Sequence, residues 1–158
     1  MQKLTILNTR RIKEFNKVLI KQFGTTLQKE YAYFLNEKNR VFIVNKDIAK
    51  VDLNKLRIDK IGLYFAEYKD TQARLSKEGS QLLVQENETI NHDIKNIVEL
   101  DEKEIKTYFE GVDLEKDCGE ENRFVLLQYE KNIVGCAKYK DKKIINFLPK
   151  THRGTVIV

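Results

Sequence analysis

The sequence contains few of the residues that metal sites require. Its 158 residues include two cysteines and two histidines, and neither cysteine has a second ligand at the spacing of a zinc motif. We therefore expect no metal. Cys118 is expected to be a thiol in a loop, and Cys136 a small apolar residue within a strand.

Long apolar runs are also absent. The longest runs, residues 41–44 and 124–127, have the length of strands and are too short for a membrane-spanning helix. The first residues lack the apolar stretch of a secretory signal. We therefore expect a cytoplasmic protein with no membrane partner.

The common signatures of nucleotide-binding and hydrolytic enzymes are missing. There is no Gly-x-Gly-x-x-Gly, no phosphate-binding Gly-x-x-x-x-Gly-Lys and no Gly-x-Ser-x-Gly, and seven glycines are too few to suggest a methyl-donor or dinucleotide site. Asp101, Glu102 and Glu104 are typical of a helix start rather than of a general acid–base pair. The sequence predicts neither catalytic residues nor a cofactor.

Positive charge is concentrated at both ends of the chain. Residues 1–30 contain seven Lys or Arg and two acidic residues, and residues 131–158 contain seven and one. Between these segments, residues 92–122 contain eleven Asp or Glu and four Lys. A fold that brings the two ends together would create one basic field, which suits an anionic partner.

The first helix is predicted from its apolar spacing. Ile12, Phe15, Leu19 and Phe23 share one face, Asn8 or Thr9 can cap the start, and Gly24 can end the helix. The nearly opposite face is a stripe of basic residues, which we call the secondary basic face and which favours an anionic partner: Arg10, Lys13, Lys17 and Lys21. An ordinary solvated lysine face is the alternative.

The remaining pattern predicts two domains, residues 1–88 and 89–158, divided in the polar stretch 85–91. In the first we expect a hairpin (31–35 and 41–44), a short helix (46–56), strands at 61–67 and 74–76, and a helix after Ser76 in which Gly79 indicates close packing. In the second we expect a strand (96–100), a helix (101–110) with an Asp101–Glu104 capping box, and strands at 124–130, 133–140 and 143–148 joined by the two-residue loops 131–132 and 141–142. Pro149 should halt the last of these, and 156–158 could add a terminal strand.

Basic residues accumulate along the last strands. Six of them lie within residues 138–153: Lys138, Lys140, Lys142, Lys143, Lys150 and Arg153. Lysine and arginine bind backbone phosphates, and the rings of Tyr139 and His152 could stack on an unpaired base. A lysine-rich hairpin that keeps a sheet edge soluble remains the alternative.

The C-terminal residues resemble a known family. The strand 97–100, the helix ending in Gly111-Val112-Asp113-Leu114, and the closing Asn-x-Leu-Pro-Lys-x-x-Arg of residues 146–153 look like a PUA domain. The ending is similar to the PUA-like tail of NOP/Sun-type rRNA cytosine methyltransferases and their archaeal stand-alone relatives. Residues 61–64 and 75–79 look like the α/β domain that precedes PUA in such proteins and in ribosome-biogenesis factors.

The resemblance implies an α+β fold, in which an N-terminal α/β (pre-PUA) domain is followed by a small PUA-like β-barrel. In that family RNA lies against the first helix, the loop after it and the final strand. Carried over, these contacts fall on Gly111, Val112, Lys143, Lys150 and Arg153. The acidic residues that follow this loop depart from the pattern because they would repel phosphate unless they point away.

The resulting hypothesis is a non-catalytic RNA-binding protein that acts on structured rRNA or tRNA in modification or ribosome biogenesis. An RNA-modifying enzyme or a ribosomal protein is a possible partner. One alternative is a diverged, methyltransferase-associated RNA-modifying enzyme with its site around Tyr64 and Glu67. Another is a protein-interaction adaptor that uses the acidic segment 92–122.

Overall fold

A computed structural model describes residues 3–46, 62–88, 93–150 and 153–154. These residues form three helices and ten strands. In chain order they are β1 Thr5–Ile6, α1 Thr9–Phe23, β2 Tyr31–Leu35, β3 Arg40–Asn45, β4 Leu63–Lys69, β5 Gln72–Leu75, α2 Lys77–Asn87, β6 Ile97–Glu99, α3 Glu102–Phe109, β7 Leu114–Glu115, β8 Arg123–Tyr129, β9 Asn132–Lys140 and β10 Lys143–Ile145.

Helix α1 confirms the predicted caps and buried face. The Asn8 side chain accepts a hydrogen bond from the Arg11 amide, and Gly24 ends the helix at φ 81°, where its amide bonds to the Ile20 carbonyl. Phe15, Leu19 and Phe23 are buried. The helix therefore packs through the apolar face that its spacing predicts, and the basic stripe is left exposed.

The N-terminal sheet is an antiparallel meander in the order β1-β2-β3-β4-β5. The predicted strand 61–67 is observed as β4, shifted by two residues toward the C-terminus, and the short strand 74–76 is observed earlier, as β5. Their tight turn explains the shift. Asp70 and Thr71 both have positive φ, so Lys69 pairs directly with Gln72. Nearly all of the helix predicted at 46–56 lies outside the described residues.

The C-terminal sheet has the order β6-β8-β9-β10-β7, with β6 parallel to β8 and the other pairs antiparallel. The two-residue turn at Asp141-Lys142 is confirmed. The other turn was predicted one residue too late, because Glu130 and Lys131 take the positive φ values and Asn132 already pairs with Tyr129. The short strands β1 and β7 were not predicted.

Strand β10 is shorter than predicted: it ends at Ile145 rather than at residue 148. Asn146 leaves the strand ladder because its amide donates to Asp113 Oδ1, 2.8 Å away, and its own Oδ1 accepts from the Leu148 amide. Pro149 follows outside the strand, and the strand expected at 156–158 lies outside the described residues.

Helix α2 packs between the two sheets. A Cβ on Gly79 would lie 2.2 Å from the Phe65 carbonyl oxygen of β4, so the predicted close packing is confirmed. On its other side, Gln81 Nε2 donates to the Ile133 carbonyl of β9. Leu126 and Cys136 of the C-terminal sheet belong to the same apolar cluster as α1 and the N-terminal sheet. The two halves therefore share buried contacts, and a boundary at residue 88 stays a prediction.

A second cluster fills the inside of the C-terminal sheet, where α3 packs through Ile105 and Tyr108 against Ala137, Tyr139 and their neighbours. The sheet curves around this cluster as a half-barrel. The expected α+β composition is confirmed. The pre-PUA arrangement of the N-terminal half stays a prediction.

Candidate nucleic-acid interface

The loop after α3 and the end of the chain meet at Gly111 and Arg153. The capping box predicted between Asp101 and Glu104 starts the helix, and Gly111 follows its end at φ 83°. A Cβ on Gly111 would lie 2.5 Å from Arg153 Nε. That Nε donates to the Leu148 carbonyl at 3.0 Å, which fixes the guanidinium over the glycine. Two segments that the sequence analysis assigned to RNA are therefore in contact.

Asn146 joins these segments and was missing from the predicted site residues. Its Nδ2 donates to the carbonyl oxygens of Tyr108 at 2.7 Å and Val112 at 3.1 Å. The turn after α3 and the start of the closing motif are thereby held together. The first position of the Asn-x-Leu-Pro-Lys motif was the available signal, because an asparagine that ends a strand commonly bonds to nearby backbone.

We use the name Gly111 end for Gly111, Val112, Lys150 and Arg153. Val112 is 51% exposed, and Lys150 and Arg153 are also exposed. The Gly154 amide donates to the Phe109 carbonyl at 2.8 Å, which ties this segment to α3. The acidic neighbour Asp113 already accepts a hydrogen bond from the Asn146 amide.

Three predicted lysines lie elsewhere, at the hairpin tip formed by Lys140, Lys142 and Lys143. Lys143, at the hairpin tip, is the first residue of β10, and the Gly111 end lies next to the last residue of that strand. The two sites are therefore about 10 Å apart along β10. Lys143 pairs with Glu115 across the sheet, and the Lys116 amide donates to the Lys142 carbonyl. The acidic loop therefore lies against the hairpin tip and leads away from the Gly111 end.

Lys138 lies at a third location, separate from the hairpin tip and from the Gly111 end. Its Nζ lies 4.6 Å from the centre of the Phe124 ring, on the sheet face that turns toward α1. There it lines a groove of about 430 Å³ together with Lys21, Lys95 and Arg123. Lys21 of the secondary basic face therefore shares a groove with Lys138 of β9. Lys95 and Arg123 were missed, since isolated basic residues give no signal in the sequence.

The rest of the secondary basic face is solvated. Arg10 Nε lies 3.5 Å from Glu14, a pair with side chains that are 88% and 55% exposed, and such a pair contributes little to stability. Among the described residues, no ion pair involves Lys13, Lys17 or Lys21. Their charge remains available to an anionic partner.

Of the described residues, no three His, Cys, Asp or Glu side chains are grouped as metal ligands would be. Burial raises the pKa of the Cys136 thiol to about 12, so this cysteine is neutral and unreactive at pH 7.

His152 lies outside the described part of the chain. No helix in that part is long and apolar enough to cross a membrane.

A comparison with known families matches the C-terminal part of the chain. The family model of the PUA domain of methyltransferase RsmF matches residues 95–153, which covers β6, α3 and the strands β7–β10. No curated protein matches the chain. A PUA domain indicates RNA binding, in this case in a methyltransferase-related context. Residues 95–153 are therefore a PUA domain, related to the PUA tail of the Sun/NOP methyltransferases.

Proposed function

We propose that this protein is a non-catalytic cytoplasmic RNA-binding protein that serves rRNA or tRNA modification or ribosome biogenesis. In this proposal it docks structured RNA through the Gly111 end of its PUA domain and delivers that RNA to a modifying enzyme or a ribosomal protein. The observation that carries the proposal is the contact between Gly111 and Arg153. It brings together the loop and the closing segment that contact RNA in the family that the sequence resembles.

The chemistry of these residues supports phosphate docking. Arg153 Nε donates to Leu148, and no described residue accepts a hydrogen bond from the terminal N–H groups of the guanidinium, which can therefore bind a phosphate in a bidentate manner. Lys150 adds a point charge. Gly111 has no side chain, which lets the Arg153 guanidinium lie close against the main chain of the loop.

The basic face of α1 supports a second line of contact. Lys21 and Lys138 share a groove, so an RNA that leaves the PUA domain along this groove would meet Lys17 and Lys13 next. We therefore place the secondary basic face on the same RNA. It would add affinity through its charge and would not select a sequence.

The test is a titration of the purified protein with a pool of structured RNAs across salt concentrations. We expect micromolar or tighter binding, with log K falling against log salt by about 0.7–0.9 per phosphate contact. The double variant Lys150→Glu/Arg153→Gln should weaken binding strongly and reduce the slope. Lys29→Glu, a change at an exposed site, is the control for charge. Absence of binding at low salt would overturn the proposal.

The catalytic alternative placed a site around Tyr64 and Glu67. Glu67 is held by Arg74 at 2.8 Å, and burial raises the pKa of Tyr64, although Arg74 and Arg40 oppose the rise. Tyr64 is thus poorly suited to accept a proton at pH 7, and Glu67 already has a cationic partner, which supports the non-catalytic proposal. Methyl transfer from S-adenosylmethionine to RNA by the purified protein alone would instead establish an enzyme.

The adaptor alternative relies on the acidic segment 92–122. Several of its carboxylates have internal partners: Glu104 accepts from Lys116 at 3.1 Å, Asp101 caps α3, and Asp117 accepts from the Gly119 amide. Glu120 and Glu121 remain exposed. Fewer charges are therefore free for a basic protein partner than the sequence suggests, and RNA binding is the better-supported function.

A further inference from the structure

A cleft of about 580 Å³ opens between the two halves of the molecule. One wall is formed by β3 and β4 and carries Arg40 and Tyr64, and the other is formed by residues 147–149 after β10. This volume is in the range of small-molecule sites. The cleft adjoins the Gly111 end, because Leu148, which lines it, accepts the Arg153 hydrogen bond.

The walls of the cleft combine cations with aromatic rings. The Arg40 guanidinium lies 5.2 Å from the centre of the Tyr64 ring, and the Arg74 guanidinium lies 4.4 Å from the centre of the Phe147 ring. Phe147 is 38% exposed, which is unusual for a residue between a strand and a buried leucine. Rings and guanidinium groups in this arrangement stack on nucleobases and pair with phosphates.

The base of the cleft is the start of α2. Ser76 is the N-cap, and its hydroxyl accepts from the Gly79 amide, so the positive end of the helix dipole lies here. Lys77, the first helical residue, also lines the cleft. Glu78 is the acidic residue among the lining groups, against Arg40 and Lys77, while Arg74 is paired with Glu67. This part of the cleft therefore favours an anion.

An independent observation comes from Tyr108, which lines the cleft and is 1% exposed. A Cβ on Gly135 would lie 2.2 Å from its hydroxyl oxygen, so the hydroxyl occupies the space that a side chain at position 135 would fill. No described residue forms a hydrogen bond with this hydroxyl. Burial raises the pKa of Tyr108, so the hydroxyl stays protonated and can donate. A buried hydroxyl donor without an acceptor destabilises the folded state unless a ligand supplies the acceptor.

From these contacts we infer that the cleft binds one nucleoside monophosphate unit, with its base against Phe147 and Tyr64, its phosphate toward Arg40 and the start of α2, and a base atom accepting from Tyr108. The unit is an unpaired nucleotide of the RNA that is docked at the adjoining Gly111 end. In this form the inference rests on the proposed function. A free nucleotide offers the same chemistry, and the experiment distinguishes the two sources.

The experiment has two arms, each with wild type, Arg40→Glu, Phe147→Ala, Tyr108→Phe and the control Lys29→Glu. Lys29 lies beside Glu86, near the far end of α2 from the cleft. Thermal unfolding first verifies that each variant is folded. In one arm, binding of AMP, CMP, GMP and UMP to the isolated protein is measured by NMR. In the other, RNA carrying 4-thiouridine is cross-linked to the protein and the modified peptides are identified.

We expect cross-links in the peptides that contain Tyr64 or Phe147. Arg40→Glu and Phe147→Ala should lower their yield at least about fivefold, while Lys29→Glu should leave it within about twofold. Tyr108→Phe should change the preference among the bases. Nucleotide binding without RNA binding would support the cleft as a site for free nucleotides and overturn the proposed RNA function. RNA binding with no cross-link in the cleft and no nucleotide binding would overturn the inference and leave the proposed function standing.

Discussion

The two ends of β10 have similar numbers of basic residues but different surroundings. At the hairpin tip, Lys140, Lys142 and Lys143 lie against the acidic loop, and Lys143 stands opposite Glu115 in the strand register. At the Gly111 end, Arg153 is fixed by a backbone carbonyl and Asp113 is engaged by the Asn146 amide.

The number of positive charges at a surface therefore does not by itself identify that surface as a binding site. Opposite charges across a sheet attract each other and reduce the field that a phosphate experiences. A guanidinium that is oriented by a neutral carbonyl keeps its full charge and loses little freedom on binding. We therefore expect RNA affinity to depend on the Gly111 end far more than on the hairpin tip.

The largest effect is expected from Gly111→Val. The new side chain would collide with Arg153 and would be strained at φ 83°, which costs about 1–3 kcal/mol of stability. RNA affinity should fall about tenfold or more because the guanidinium is displaced. Thermal unfolding and an RNA titration measure both effects.

Gly154→Ala is the matched control, because no atom of the described residues lies within 4 Å of a Cβ at that position. It should leave stability and affinity near the wild-type values. Retained RNA affinity in a folded Gly111→Val protein would remove the Gly111 end from the interface.

The next largest effect is expected at Gly135, which packs against Tyr108 beneath the Gly111 end. Gly135→Ala would force a Cβ against the Tyr108 hydroxyl, and overpacking of this kind costs about 1–3 kcal/mol. Tyr108→Phe removes the hydroxyl and should restore part of the loss in the double variant. Chemical denaturation of the two single variants and the double variant measures the coupling. An additive double variant would show that the two groups do not meet.

A direct comparison of the two ends uses one charge reversal at each. Lys150→Glu should weaken RNA binding about tenfold, and Lys142→Glu no more than about threefold, since the acidic loop beside the hairpin tip lowers the positive potential there. Both residues are exposed, so stability should hardly change. Equal losses in the RNA titration would contradict the difference between the ends.

The smallest effect on stability at neutral pH is expected from the ionisation of Cys136, the buried thiol where the two sheets meet. Cys136 has its pKa raised from 9.0 to about 12 by burial, so the folded state holds the proton more tightly than the unfolded state. Stability should be level below about pH 9 and should fall as the pH rises from there toward 12, by at most about 1.4 kcal/mol per pH unit from this group.

Tyr33, with a pKa raised to about 12 by burial and by Glu86, adds to the loss above its ordinary value of 10.0. The free energy of unfolding, measured between pH 7 and 11, tests this sign. Cys136→Ala should make the decline shallower whatever its effect on stability at pH 7. A decline of unchanged steepness in this variant would show that the thiol is not responsible.

Local patterns in the sequence predicted the elements that depend on near neighbours. The α1 face, both of its caps and the Asp101–Glu104 box were correct, because each is decided within a few residues of chain. The close packing at Gly79 was also correct, although its partner, the Phe65 carbonyl, lies on another element. The bounds of β4, β5 and β10 were less accurate. They depend on turn residues with positive φ and on Asn146, which exchanges the strand ladder for contacts with the loop after α3.

The sequence by itself determined that this protein has α+β content, a PUA-like closing motif and positive charge at both ends, since these follow from composition, periodicity and short motifs. Only the tertiary structure decided which charges lie beside opposite charges and which residues face each other. The acidic loop lies against the hairpin tip, and Arg40, Arg74 and Phe147 line one cleft although they are far apart in sequence. The reason is physical: electrostatic interactions and packing depend on distances in space, and only the folded chain brings distant residues to those distances.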